Sequence, residues 1–235
     1  MLASVLLSFL AAASGVLTAP SLKTSQCDVS RVAMNLPASM HTGSTPLATP
    51  LAPGPKFIAV AIGVQNYTCS SAGTYTSVGA VAELFDVSCL PPTMFNVVTD
   101  MALQAWKSAP AKVTAQDVVK GLSQFKTSAV LGQHYFITNP ITGTGLSPKW
   151  DFTSASQKGN SNAFIVAAKT GDVPAPSNPK TNVDWLSLGK AQGDLADQVY
   201  RIETRDGQPP ATCTPGSTDI SVKYASQYWL FGGSL

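Results

Sequence analysis

The chain offers few residues for acid–base chemistry. Its two histidines are His41 and His134, and its only glutamates are Glu83 and Glu203. His134 precedes Tyr135 and Phe136, and a Gly-rich turn then leads to Trp150-Asp151. An imidazole can serve as a general base when a carboxylate orients its ring, which makes His134 and Asp151 the candidate catalytic pair. The same two residues, joined by Trp150 and Trp185, could instead form a polar site in an aromatic pocket for a sugar ring or a small aromatic ligand. His134, Trp150, Asp151 and Trp185 are therefore the candidate ligand-binding residues. The plainer alternative is a histidine hydrogen-bonded within a sheet, with both indoles filling core.

Other chemistries find less support. A carboxylate pair for glycoside hydrolysis would draw on Glu83, Asp86, Asp151 and Glu203. Arg201 next to Glu203 on one strand face suggests a plain ion pair there instead. No Gly-x-Ser-x-Gly elbow marks a serine nucleophile. Two distant histidines, no His-Glu-x-x-His and no calcium-loop spacing of aspartates predict no metal site. No Gly-x-Gly-x-x-Gly follows a strand and opens a helix, so no dinucleotide site is expected and no cofactor is predicted.

The four cysteines, Cys27, Cys69, Cys89 and Cys213, follow an uncharged start. Residues 1–19 contain no Lys, Arg, Asp or Glu, and Leu2–Ala13 is an apolar run. That run matches the core of a signal peptide and is too short for a membrane span of about 20 residues. The expected mature protein of about 215 residues is secreted, with no membrane segment after cleavage. An even cysteine count behind a signal peptide reads as two disulfides with three possible connectivities. Joining Cys69 to Cys213 would close a very long loop, and Cys27 with Cys89 would then pin the N-terminal region to the body. Charged residues make up 12% of the chain with a net charge of +2, and no basic stripe points to nucleic acid.

These residues must be positioned by the elements around them. Residues 20–55, with Pro46, Pro50, Pro53 and Pro55, read as an irregular extension over a single β-rich domain spanning 56–235. Phe57–Cys69 is a strand whose first half is apolar on both faces, which predicts cover on both sides. Further strands are expected at 80–87, 129–138, 163–169, 183–188, 198–204 and 219–231. Between them, residues 94–106 suggest a helix. Residues 114–125 suggest a second, with Thr114 capping and Asp117 three residues on. The pattern predicts a β-sandwich or distorted barrel with one or two helices inserted around residues 94–125. The sequon Asn66-Tyr67-Thr68 falls within the first strand, near a cysteine, where an unmodified Asn66 is expected.

Several segments, in order, resemble a family known only as a domain of unknown function, DUF3455. They include residues 63–69, 79–86, 132–136, 148–152 and 183–188, then Val199-Tyr200-Arg201-Ile202-Glu203-Thr204 through Gln208-Pro209-Pro210-Ala211-Thr212-Cys213, and Tyr228-Trp229-Leu230-Phe231. The sequence is similar to the fungal secreted branch, which adds an N-terminal cysteine region. The family's pattern places cysteines at Cys69 and Cys213. The resemblance therefore implies that pairing, and Cys27–Cys89 follows as the remainder. Asp206 stands where the family usually has a glycine before Gly207, a departure that matters if position 206 needs a positive φ. The malate dehydrogenase label carried by some fungal members finds no dinucleotide motif here. The family implies no activity. The residues point first to a non-catalytic extracellular binding or surface-associated module, with a carbohydrate or cell-wall polymer as its expected partner. The second reading is a secreted hydrolase acting on carbohydrate or another extracellular polymer.

Overall fold

Phe57 to Ile62 are all buried, so the first strand is covered on both faces over that stretch. The reason lies in what surrounds it. The computed structural model describes residues 27–110, 112–124 and 129–235; the expected signal segment 1–19 and residues 20–26 of the extension lie outside them. The strands are β1 (Phe57–Cys69), β2 (Tyr75–Asp86), β3 (Val130–Thr138), β4 (Leu146–Asp151), β5 (Phe164–Val173), β6 (Trp185–Gln192), β7 (Gln198–Asp206) and β8 (Ile220–Phe231). Each pairs antiparallel with its chain neighbour. β8 then returns to β1, from Phe57 opposite Leu230 to Tyr67 opposite Ile220, and closes an eight-stranded barrel. Closure leaves no free sheet edge.

One face of β1 looks into the lumen. Ala59, Ala61 and Gly63 lie opposite Tyr228, Ser226 and Tyr224 of β8. These small residues make room for the two tyrosines, which are at most 1% exposed. Phe57, Leu84, Trp150, Phe152, Ile165, Val199 and Leu230 complete an apolar filling. An eight-stranded barrel is just wide enough for side chains to occupy its interior.

The other face of β1, with Ile58, Val60 and Ile62, belongs to a second core outside the barrel. Helix α1 (Phe95–Lys107) closes it from one side. The Trp106 indole donates to the Gly63 carbonyl at 2.7 Å, and Lys223 Nζ donates to the Trp106 and Ala109 carbonyls at the helix end. Helix α2 (Ala115–Gln124) packs on β2. Thr114 and Asp117 satisfy each other's backbone N–H at its start, as the capping pattern predicts. Phe125, the last position expected in this helix, lies outside the described residues.

Cys27 pairs with Cys89, and Cys69 with Cys213. The second bridge ties the β1–β2 hairpin to the β7–β8 loop. Asp206 has φ of 57° and Gly207 of 95°, so the aspartate occupies the left-handed region that a glycine would enter more easily. The Asn182 side chain accepts the Asp206 N–H at 2.8 Å and fixes it there. Strand β4 was not expected: Pro148 lies inside it, and it shares only Lys149, Trp150 and Asp151 with β5.

Candidate functional site

His134 lies on the lumen side of β3, opposite Ala82 of β2 and Trp150 of β4. Its ring stacks on the Trp150 indole at 4.4 Å and 16° between planes, with Tyr228 at 5.2 Å and Phe136 at 5.6 Å. Nδ1 donates to the Lys149 carbonyl at 3.0 Å. Burial pushes the imidazole down to about 3, against the raising effect of that carbonyl. The ring is therefore neutral at physiological pH, shut away from solvent and a weak base.

Asp151 follows Trp150 directly and so points to the opposite side of the sheet. Its Oδ2 accepts from Tyr135 Oη and from Lys149 Nζ, each at 2.7 Å. Its Oδ1 accepts from the Thr153 N–H at 3.0 Å and hydroxyl at 2.6 Å. Burial acts to raise its pKa, but the hydrogen bonds from Lys149, Thr153 and Tyr135 outweigh it and hold the carboxyl down to about 2. His134 and Asp151 thus make no contact through the sheet that separates them. Trp185 faces outward on β6, 4% exposed, in the second core with Val173 and Tyr200. Of the four candidate ligand residues, only His134 and Trp150 are brought together, and both are buried.

Asp151 instead joins residues that sequence reasoning passed over. Tyr135 and Lys149 stand opposite each other on the outer face of β3 and β4. The Lys149 ammonium sits 4.5 Å from the centre of the Phe164 ring and 5.6 Å from that of Tyr135. Gln133 extends the row, accepting from the Ser154 hydroxyl at 2.8 Å. The helices pack on β1, β2, β7 and β8, and the N-terminal segment on β5–β7. Gln133, Tyr135, Ile137, Lys149 and Phe164 remain half-buried. Period-two alternation through β3 already separates Tyr135 from His134; nothing in the sequence marks Phe164.

The other carboxylates are engaged individually. Glu83 is 1% exposed on the outer face of β2, and burial pushes it up to about 8 against the opposing hydrogen bond from Gln133. Asp86 accepts the Ser88 N–H at 2.8 Å. Glu203 pairs with Arg205 at 3.4 Å, not with Arg201. The strand is irregular between Ile202 and Arg205, and Glu203 has φ of 48°, which turns it off the face it would share with Arg201. Arg201 instead lies opposite the lumen residue Tyr228 and donates through Nε to the Asp184 carbonyl. Asn66 Oδ1 accepts from the Ser221 hydroxyl at 2.8 Å.

Among the described residues, no group of three or more His, Cys, Asp or Glu side chains could hold a metal ion, and no helix is long and apolar enough to cross a membrane. The profile of the family described as a protein of unknown function, DUF3455, matches residues 51–232. No curated protein and no solved structure matches the chain. The match spans most of the sequence, and the chain belongs to this family.

Proposed function

We propose that this DUF3455 protein is an extracellular, non-catalytic binding module whose recognition surface is the outer face of β3, β4 and the start of β5. The observation that carries this reading is the fixed cluster of Tyr135, Lys149, Asp151 and Phe164. Two aromatic rings flank an ion pair whose hydrogen bonds are already made, on strands other than those the described helices chiefly pack against. Half-buried rings beside rigid polar groups suit a sugar, which offers apolar C–H faces and hydroxyls together. Little ordering is then left for the ligand to impose.

Support for a non-catalytic role comes from the divided pair. A His134–Asp151 dyad would need both groups on one face, and the sheet places them on two. Support for an extracellular setting comes from the two disulfides and the apolar leader. A carbohydrate or cell-wall polymer is the partner this surface fits. The test is a pull-down on insoluble polysaccharides and a glycan array with the full mature chain. Binding by the wild type that is lost in Tyr135→Ala and Phe164→Ala, with near-UV circular dichroism unchanged, is the expected result. Release of soluble sugar that disappears in Asp151→Asn would replace this reading with the hydrolase.

A further inference from the structure

Residues Thr45–Leu51 have neither helix nor strand of their own, yet they cross β5, β6 and β7 in turn and are held mainly by their backbone. The Thr45 carbonyl accepts the Asp172 N–H at 2.8 Å, and its hydroxyl donates to the Asp172 carbonyl at 2.7 Å. The irregular register of β5 between Lys169 and Gly171 lies just before this contact. The Ala48 N–H donates to Ser187 Oγ at 3.0 Å, and the Ala48 carbonyl accepts from Tyr200 Oη at 2.7 Å. Gln198 reads two groups at once, donating through Nε2 to the Thr49 carbonyl at 3.2 Å and accepting the Leu51 N–H through Oε1 at 2.9 Å.

Leu47 departs from this pattern in its backbone: its N–H donates to the Met40 carbonyl at 2.8 Å and its carbonyl accepts from His41 Nδ1 at 3.3 Å, both within the N-terminal region. Pro46 and Pro50 have no N–H to satisfy. Leu47, 3% exposed, is the apolar anchor, packed in the outer core with Trp185 and Tyr200. Gly171 permits the close approach: a Cβ there would meet the Pro46 carbonyl oxygen and lie 2.8 Å from Leu47 Cα. Ser187, Gln198 and Tyr200 are themselves at most 3% exposed and direct their polar atoms at this segment. All three lie inside the family match, which begins at residue 51, whereas Thr45–Pro50 precede it.

We propose that the outer face of β5–β7 is a docking groove for an extended, proline-containing peptide from another polypeptide, and that Thr45–Leu51 occupies it in cis. The groove reads main-chain N–H and C=O groups through Ser187, Gln198 and Tyr200, takes one aliphatic side chain at the Leu47 position, and leaves the proline positions unread. A tethered occupant competes at high effective concentration, so a free peptide enters when the cis segment is weakened.

The probe is a fluorescent peptide with the sequence of residues 44–53, titrated by anisotropy into the full mature chain. Leu47→Asp, which weakens the cis segment, is expected to bind it at least ten-fold more tightly than the wild type. Leu47→Asp with Gln198→Ala is expected to lose that gain. Equal binding by all three proteins, or none by any, overturns the proposal. Should Leu47→Asp fail to fold, a protease site placed at the exposed residues 42–44 frees one end of the segment in the otherwise unaltered chain; no gain in peptide binding after cleavage overturns it equally. Dimerisation by exchange of the segment without capture of free peptide is a further contrary result.

Discussion

His134 and Asp151 occupy neighbouring strands and opposite sides of the barrel wall. His134 stacks on Trp150 inside, and Asp151, the next residue after Trp150, bonds Tyr135 and Lys149 outside. This parity divides the His134–Asp151 pair that the sequence offered for general-base chemistry. It leaves a histidine serving the lumen packing and a carboxylate ordering a surface. The pH dependence of stability and the proposed recognition surface both rest on that division.

The lumen histidine and the buried Glu83 give opposed pH dependences. His134 falls from 6.5 to about 3 on folding, so the unfolded chain binds the extra proton in that window and stability drops as pH falls through it. Glu83 rises from 4.5 to about 8, so the folded state holds the extra proton and stability drops as pH rises through that window. Between 4.5 and 6.5 the two slopes oppose one another. Relative to the wild type, Glu83→Gln should lose more stability on acidification across this range, and His134→Phe less. Each difference should approach about 1 kcal/mol per pH unit. Urea melts at several pH values would show it, and parallel curves for all three proteins would contradict it.

The close approach at Gly171 predicts a coupling. Gly171→Ala pushes a Cβ against the backbone of Pro46 and Leu47, and the expected cost is about 1–3 kcal/mol. In a Leu47→Asp background, where the segment is already loosened, most of that cost should vanish. Denaturant midpoints of the two single variants and the double variant form the cycle, and additive losses would show that Gly171 does not act through the segment.

The two disulfides close loops of different length, with sequence separations of 144 and 62 residues. Chain entropy alone makes Cys69–Cys213 the more stabilising by less than about 1 kcal/mol, out of roughly 4–5 kcal/mol for each. Cys27→Ser/Cys89→Ser should also free the N-terminal region. Its expected signature is faster amide exchange at Ala48 and Leu51, unmatched in Cys69→Ser/Cys213→Ser. Equal exchange in the two variants would argue that the backbone contacts hold the segment without the bridge.

Much of this fold was legible because its signals are local. Alternation and paired apolar faces marked β1 at Phe57–Cys69, and the Thr114–Asp117 cap marked the start of α2. The disulfide pairing agrees with what the family resemblance implied, and Asp206 takes the positive φ under which its departure from glycine matters. Strand β4 was hidden by Pro148, which a strand tolerates where few ladder bonds are required. The site was less legible because it depends on which residues the barrel turns inward. Trp150 and Asp151 are adjacent in sequence and separated by the sheet in space, whereas Phe164 reaches Lys149 only because β5 pairs it with Asp151. The Arg201–Glu203 pairing expected from a regular strand is undone by the irregularity before Arg205.

The most direct test of the account is an equilibrium titration of the mature protein with the polysaccharide that it retains in the pull-down, repeated for Tyr135→Ala/Phe164→Ala and for His134→Phe. The account predicts at least a ten-fold loss of affinity in the surface variant, an unchanged affinity in the lumen variant, and no soluble product released by any of them. Wild-type affinity in the surface variant, or loss confined to His134→Phe, would contradict it.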